Sequence, residues 1–410
     1  VVGGKLDASA PGGGNGGFIE TSGKKVTIGT DAQVTTRAAQ GRSGRWLIDP
    51  VDFTIAASGG DMTGAQATAA LALNDLEIQS SGGASGANGD IFVNDSITWS
   101  AHRLTLNAYR NIEINQSLNG SGTAQLALYY GQGGEAAGNS ATYSVKAPVS
   151  LPAGDNFFTK LGFDGAVKTF TVITDLGAQG SVTGTDLQGM SGDLAGNYAL
   201  GADIDASATS GWGAVGFDPV GNTVASYSGA FDGLGHTITG LTIDRPGRYY
   251  IGLFGRTSAA ARVSNVGLKG GSTHGHASDR MGALVGYNEG AITNSYATGT
   301  VSGNGFIGGL VGYNAGSISA CYATGAISGN DYAGGLVGFN DTGGSISSSY
   351  ATGATSGDDF VGGLAGSNEG SISSSYATGA VSGNGYVGGL AGGTEEGGSI
   401  RYSYATGLVT

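Results

Sequence analysis

A five-residue phrase built on glycine and leucine recurs through the last third of the chain. It reads Gly-Gly-Leu-Val-Gly or a close variant and begins at Gly282, Gly308, Gly334, Gly362 and Gly388, so that copies lie 26, 26, 28 and 26 residues apart. A second phrase, Tyr-Ala-Thr-Gly, keeps the same period and begins at Tyr296, Tyr322, Tyr350, Tyr376 and Tyr404. A fixed period of this length indicates a solenoid or a propeller. Function in such proteins usually resides on a long repeated surface.

One repeat, residues 308–333, contains three short apolar bursts separated by Gly and Asn: Leu310-Val311, Ile318–Tyr322 and Ala326-Ile327. Short bursts bounded by turn residues predict strands. A propeller blade needs about 40–45 residues, so the repeat is too short for one. We therefore predict an all-β parallel β-helix (β-solenoid) with about three short strands per coil. Side-chain alternation predicts that Ile318 and Tyr322 share the inner face, unless a bulge intervenes.

The chain divides into three predicted regions: an irregular β-helix shaft over 1–160, transition coils over 161–250, and a regular β-helix of period 26–30 over 251–410. The Ala- and Leu-rich stretch Thr63–Leu73 predicts one short helix beside the solenoid, because Thr favours a helix start. A second short helical turn is predicted at Thr185–Met190.

Composition excludes several other classes. With 82 Gly but only 6 Pro among 410 residues the chain is not collagen, and with 39% hydrophobic and 12% charged residues it can bury a core. The net charge of −13 argues against nucleic acid as a partner. No apolar run is long enough to insert into a membrane. Cys321, the only cysteine, precludes an internal disulfide and replaces the Ser found in other repeats, so we expect a small buried residue. The ends of the sequence suggest a fragment or a processed form.

The phrases Gly-Leu-Val-Gly-Tyr-Asn and Ser-Tyr-Ala-Thr-Gly resemble GLUG repeats, and the segment 231–243 with the following Gly252–Gly255 resembles the entry to such repeats. Residues 45–55 and 89–115 resemble the shaft of filamentous haemagglutinin and high-molecular-weight adhesins, which are two-partner-secretion exoproteins. The resemblance implies a right-handed β-helix, secretion to the surface of a Gram-negative bacterium, and a role in adhesion, aggregation or biofilm formation. The Asn-Pro-Asn motifs of that family's secretion domain are absent from this sequence.

Candidate chemistry is sparse. His274 and His276 could chelate a metal but make only a two-ligand site, and His236 follows Asp232 in what is more simply a turn. Carboxylate pairs such as Asp203 with Asp205 could serve calcium or sugar cleavage, yet most carboxylates of the repeats fall at corners. The zinc-protease motif His-Glu-x-x-His is missing. We predict no enzyme, no cofactor and no metal.

One aromatic residue precedes each later glycine phrase, at Phe306, Tyr332, Phe360 and Tyr386. A stacked structural column is one interpretation, and a glycan-stacking stripe is the other. We therefore expect a structural, adhesive rod segment of a secreted surface exoprotein, whose partners are a host-cell or matrix glycan or a surface receptor, and further coils of the same parent protein. The alternatives are a carbohydrate-binding module of a biofilm-matrix protein and, third, a polysaccharide-active enzyme.

Overall fold

The computed structural model describes residues 1–82, 89–213, 215–245, 247–275 and 279–410. Its strands stack in parallel from one winding of the chain to the next, which confirms the predicted all-β, right-handed parallel β-solenoid. Contacts group the chain into two compact units. Unit 1 comprises Val1–Val172 and Ala199–Gly201, and unit 2 comprises Ile173–Tyr198 and Ala202–Thr410.

Unit 1 has the predicted three strands in each complete turn. Its longest ladder contains Phe18–Ser22, Arg45–Asp49, Asp75–Gln79, Arg103–Asn107, Gln125–Tyr130 and Gly154–Leu161, to which Lys168–Ile173 adds antiparallel. The second contains Phe53–Ala56, Ile91–Asn94, Ile112–Ile114 and Tyr143–Val145. The third contains Ile97–Trp99, Leu118–Gly120 and Val149–Ser150. Lys5–Asp7 pairs with Gln33–Thr35, and a further strand spans Tyr198–Leu200.

The α-helix of unit 1 spans Gly64–Leu71 and confirms the helix predicted over 63–73. Thr63 starts it because its hydroxyl accepts from the Gln66 amide while the Gln66 side chain accepts from the Thr63 amide, a capping box. Ala67 and Leu71 are buried. The predicted helical turn at 185–190 overlaps only the beginning of a 3₁₀ segment at Gln188–Gly192, and a second 3₁₀ segment spans Ser207–Gly211.

The repeats of unit 2 differ from the prediction, because each turn forms five short strands rather than three. The first ladder contains Ile204–Asp205, Thr237–Thr239, Gly267–Lys269, Tyr296–Ala297, Tyr322–Ala323, Tyr350–Ala351, Tyr376–Ala377 and Tyr404–Ala405. The second contains Thr242–Asp244, Ser272–His274, Thr300–Gly303, Ile327–Gly329, Thr355–Ser356 and Val381–Ser382. The third contains Tyr250–Ile251, Asp279–Gly282, Gly305–Gly308, Tyr332–Gly334, Phe360–Gly362 and Tyr386–Gly388. The fourth contains Phe254–Thr257, Val285–Asn288, Val311–Asn314, Val337–Asn340, Ala365–Asn368 and Ala391–Thr394. The fifth is Ala230–Asp232, Arg262–Ser264, Ala291–Thr293, Ser317–Ser319, Ser345–Ser347, Ser371–Ser373 and Ser399–Arg401.

A left-handed residue divides the burst Ile318–Tyr322 into two strands. Ala320 has φ +54°, which no residue of an extended strand adopts. The alternation of side chains therefore shifts by one position, so that Ile318 and Cys321 are buried while Tyr322 points outward and is half-buried. The prediction that the tyrosines lie inside is thus wrong. The equivalent left-handed residues are Asn265, Asn294, Ser348, Ser374 and Tyr402.

The glycine phrases meet a steric need. A Cβ at Gly308 would lie 2.0 Å from the Val311 carbonyl oxygen, and a Cβ at Gly312 would lie 2.3 Å from the Met281 amide nitrogen. Real Cβ atoms do not approach backbone so closely, and neither glycine has a positive φ. These positions need glycine because neighbouring backbone segments run in contact there.

Buried polar groups also repeat inside unit 2. The Asn288 side-chain amide donates to Asn314 Oδ1 at 2.8 Å, Asn314 donates to Asn340 at 2.8 Å, and Asn340 donates to Asn368 at 2.7 Å. All four side chains are almost inaccessible to solvent. The asparagine ladder supplies hydrogen-bond partners for buried side-chain amides, whose burial would otherwise be costly. A column of buried isoleucines, Ile292, Ile318, Ile346 and Ile372, also runs from turn to turn.

Candidate functional site

The predicted glycan-stacking residues form one outward column, here called the mixed aromatic column: Phe306, Tyr332, Phe360 and Tyr386. Register places each residue opposite the next. Ring centroids lie 4.7, 4.8 and 4.8 Å apart, with interplanar angles of 10–15°. The faces of the inner rings, Tyr332 and Phe360, are therefore covered by their neighbours, and these rings offer solvent mainly their edges. Tyr386, at 65% exposure, is the most open of the four.

A second column, the cross column, stands at right angles to the first and consists of Tyr287, Tyr313 and Phe339. Phe339 meets Phe306 and Tyr332 edge to face, with centroids 5.4 and 5.6 Å apart. The sequence pattern did not indicate this column, although its members directly follow the glycine phrase. The two columns brace one another, since edge-to-face contacts are favourable between aromatic rings.

Arg280 occupies the position before Phe306 in the mixed aromatic column. Its guanidinium carbon lies 5.3 Å from the Phe306 centroid and 5.1 Å from the Tyr313 centroid. A cation within about 6 Å of a ring face is attracted by the ring quadrupole. Arg280 therefore holds the start of both columns together, a role that no motif in the sequence indicated.

The Tyr-Ala-Thr-Gly phrases build a third stack, the tyrosine column: Tyr296, Tyr322, Tyr350, Tyr376 and Tyr404. Successive centroids lie 4.7, 4.8, 4.9 and 5.4 Å apart, and the interplanar angles are only 2–8°. Burial raises the pKa of Tyr322 and of Tyr350, and neighbouring tyrosines add to the effect. These phenols are therefore protonated across the physiological range.

Beside the tyrosine column lies a face without charge, here called the hydroxyl face. From each column tyrosine onward, alternate residues point outward, so one turn presents Tyr322, Thr324, Ala326 and Ser328. The corresponding outward residues of the other turns are Tyr296, Thr298, Thr300 and Ser302; Tyr350, Thr352, Ala354 and Ser356; Tyr376, Thr378, Ala380 and Ser382; and Tyr404, Thr406, Leu408 and Thr410. The strand spacing repeats these columns roughly every 4.8 Å along the turns.

Several carboxylates of the repeats lie at corners, as expected, whereas Asp279 and Arg280 lie within a strand. Asp341, Glu369 and Glu395 follow the ladder that contains the buried asparagines and come one turn after another. Burial raises the pKa of Glu369, and the like charges of Glu395 and Asp341 raise it further. The same corner carries an ion pair in an earlier turn, where Arg256 lies 2.8 Å from Glu289.

The histidines at positions 102, 236 and 274, which the structure describes, each contact another residue of the fold. His236 Nδ1 lies 3.3 Å from Asp203 Oδ1, so Asp203 is a carboxylate neighbour that the sequence did not indicate for this histidine. His274 Nδ1 lies 2.9 Å from Ser302 Oγ, while His276 falls outside the described residues. Among the residues that the structure describes, no three His, Cys, Asp or Glu side chains gather in a way that could hold a metal ion. The absence of catalysis stays a prediction.

Cys321 takes the place of serine in a buried hydroxyl row. Its backbone amide donates to Ser349 Oγ at 3.1 Å, and its thiol lies 3.2 Å from the Ser319 carbonyl oxygen. Burial raises the pKa of the thiol to about 12. A buried protonated thiol is a poor nucleophile, in agreement with the structural role expected.

A family model described as the GLUG motif matches residues 278–302, 303–328, 329–356 and 383–410, which together make up less than half of the chain. Halomucin of Haloquadratum walsbyi is 42% identical over 114 residues, which are 26% of this chain and 1% of halomucin. A protein of Evansella cellulosilytica described as a Gly-rich membrane protein is 37% identical over 99 residues, 24% of this chain and 12% of that protein. The chain thus corresponds to a small part of each relative.

A solved structure from Bacteroides ovatus, described as an immunoglobulin A1 protease, is 24% identical with a TM-score of 0.46, over 59% of this chain and 77% of that one. This similarity supports no functional inference. In the described part of the chain, helices are too short or too polar to cross a membrane.

Proposed function

We propose that this chain is a structural and adhesive segment of a secreted or cell-surface repeat protein, and that the hydroxyl face is its contact surface. The observation that carries the proposal is the constancy of that face. In four successive turns its outward positions hold Tyr, Thr, then Thr or Ala, then Ser, and the fifth turn holds Tyr404, Thr406, Leu408 and Thr410. None of these side chains is charged, although the chain carries a net charge of −13.

The chemistry of the face favours a neutral, hydroxyl-rich partner. A charged partner would be desolvated there without a counter-charge, whereas the Thr and Ser hydroxyls can both donate and accept hydrogen bonds. Surface and matrix glycans have this chemistry. Because each turn repeats the same contacts, several weak interactions can act together along one ligand or one surface. We infer that the parent protein is exported by two-partner secretion from a Gram-negative cell. On the surface of that cell it would act in adhesion, aggregation or biofilm formation.

Lysine substitutions on the face test the proposal. The triple variant Thr324→Lys, Thr352→Lys and Thr378→Lys places three charges in one exposed column. We expect the purified chain to be retained on glycan arrays or bacterial cells, and the variant to lose at least tenfold in retention.

The matched control is Ser317→Lys, Ser345→Lys and Ser371→Lys, which adds the same charge to outward positions of another ladder. Both variants should keep the parent's circular dichroism and unfolding midpoint. Equal retention of all three proteins would refute the role of the hydroxyl face, and no retention of the parent on any surface would refute adhesion.

A carbohydrate-binding module that uses the mixed aromatic column is the second candidate. It is favoured by the outward hydroxyls of Tyr332 and Tyr386 and by the exposure of the Tyr386 ring. Changing Tyr332 and Tyr386 to Ala should then remove binding to a specific glycan while the lysine variants of the hydroxyl face keep it. The reverse result would favour the first proposal.

A further inference from the structure

We propose that the tyrosine column is a site of oxidative cross-linking, at which neighbouring phenol rings couple into dityrosine bonds that join successive turns of the solenoid. The modification would be intramolecular, and it does not depend on the adhesive function proposed above. Five tyrosines are involved, from Tyr296 to Tyr404.

Geometry is the first support. Four consecutive ring pairs have centroids 4.7–5.4 Å apart and planes within 8° of parallel, so the ring carbons of one tyrosine lie in van der Waals contact with those of the next. The backbone fixes this arrangement, because each tyrosine is directly opposite the next in the parallel register. A radical formed on one ring therefore has a partner within reach at all times, which is the condition for fast coupling.

Access is the second support. The column lies on the outer surface, its inner rings are half-buried, and Tyr404 is 56% exposed. A small oxidant can therefore reach the ring edges and hydroxyls. The neighbouring outward residues on the hydroxyl face are small and uncharged, Thr and Ala next to Tyr350 for example, so nothing bulky separates the column from solvent.

The chemistry balances with a one-electron oxidant of the haem-peroxidase class and hydrogen peroxide. Each of two phenols loses one electron and one proton and becomes a neutral phenoxyl radical. The two radicals form one carbon–carbon bond between their ortho positions. The two ortho protons are then released and the phenol oxygens are reprotonated. In total two electrons and two protons pass to hydrogen peroxide, which is reduced to two water molecules.

The chain contains its own control. In the mixed aromatic column, Phe360 separates Tyr332 from Tyr386, so no two phenols are adjacent. The mixed aromatic column therefore has nearly the same ring spacing as the tyrosine column, but its neighbouring rings cannot form dityrosine. A chain with a single cysteine cannot make an internal disulfide, whereas tyrosine coupling can link successive turns covalently.

The test is oxidation of the dilute, full chain by peroxidase and hydrogen peroxide. We expect dityrosine fluorescence in a product that stays monomeric on a denaturing gel and loses two hydrogen atoms for each bond formed. Proteolysis after acidic residues places Tyr322, Tyr350 and Tyr376 on separate peptides, because Asp331, Asp358 and neighbouring carboxylates lie between them. Mass spectrometry should therefore find the peptide of Tyr350 joined to that of Tyr322 or Tyr376.

Two matched variants complete the experiment. Tyr350→Phe removes two of the four adjacent pairs of the tyrosine column and should abolish the cross-linked peptides that join residue 350 to Tyr322 or Tyr376, whereas Tyr332→Phe should leave those cross-links unchanged. The stacked phenols Tyr287 and Tyr313 of the cross column are present in both variants and serve as an internal reference. Urea-unfolded chain, oxidised in parallel, confirms that the oxidant is active. The proposal is overturned if the folded chain gives no dityrosine, if the product appears only in dimers, or if the two variants lower the yield equally.

Discussion

At the scale of single residues, the buried asparagine ladder makes the clearest demand on side-chain identity. Asn340 accepts from Asn314 and donates to Asn368, and it lies beyond the reach of solvent. Asn340→Ala would remove one hydrogen bond from each neighbour, because the Asn314 side-chain amide would lose an acceptor and Asn368 Oδ1 would lose the Asn340 donor. Since each buried polar group left unsatisfied costs roughly 1–3 kcal/mol, we expect a loss of about 2–4 kcal/mol in the free energy of unfolding.

Urea denaturation followed by circular dichroism measures this loss. Asn330→Ala is the control, because Asn330 is exposed at a corner, and it should change stability by less than about 0.5 kcal/mol. Similar losses in the two variants would contradict the importance of the ladder.

The buried thiol gives a second prediction at this scale. Cys321 should not react with a thiol reagent in the folded chain, because it is fully buried and the pKa of its thiol is raised to about 12. It should react at once in urea. Cys321→Ser restores the serine found in the other turns and should keep or raise stability by up to roughly 1 kcal/mol, the typical value of one hydrogen bond. Rapid modification of the native protein would disprove the assignment.

At the scale of the strand, the left-handed residue in each turn decides which side chains face inward. Ala320 has φ +54°, and an L-residue with a Cβ pays roughly 1–2 kcal/mol for that conformation. Ala320→Gly should therefore stabilise the protein by about 0.5–1 kcal/mol, because the removed strain exceeds the added chain entropy of glycine.

Ala326→Gly is the matched control, since Ala326 is exposed and has no positive φ. Only the entropy cost remains there, so stability should fall by about 0.5–1 kcal/mol. Thermal unfolding of the two variants should shift in opposite directions. A shift of the same sign in both would show that the left-handed residue carries no strain.

The sequence predicted many elements of the fold correctly. The helix near Thr63 was recognisable because an Ala- and Leu-rich stretch follows a Thr, which is a local signal. The isoleucine column was recognisable because Ile318 recurs with the period, and Ile292, Ile318, Ile346 and Ile372 are buried. The left-handed positions gave no such signal. They are occupied by Asn, Ala, Ser and Tyr and never by Gly in the described turns, so residue type could not mark where the strand breaks.

At the scale of the whole molecule, the excess of carboxylates predicts how stability varies with pH. The pKa of Glu369 is raised by burial and by Glu395 and Asp341, and the pKa of Asp49 is raised by burial and by Glu20 and Glu77. Both groups bind a proton more tightly when folded than when unfolded, so protonation stabilises the fold. The free energy of unfolding should therefore rise as pH falls from neutral towards 4.5, the ordinary pKa of a Glu side chain.

Urea midpoints measured between pH 8 and pH 4.5 test this dependence. Glu369→Gln should flatten the rise, whereas Glu135→Gln, an exposed carboxylate of unit 1, should leave it in place. Added salt should also weaken the rise, because exposed charges are screened. Stability that falls steadily over this pH range in the parent protein would contradict the prediction.

The period, the parallel stacking of turns and the corner position of several carboxylates could be predicted from the sequence, because each follows from spacing along the chain and from the preference of apolar residues for the interior. The five strands of each repeat turn, the outward direction of Tyr322 and its equivalents, and the second set of rings at right angles to the predicted aromatic column became visible only in the folded structure. These features depend on a backbone conformation at one residue per turn and on contacts between neighbouring turns. The alternation of apolar and polar residues in the sequence cannot show where a left-handed residue shifts which side chains face inward.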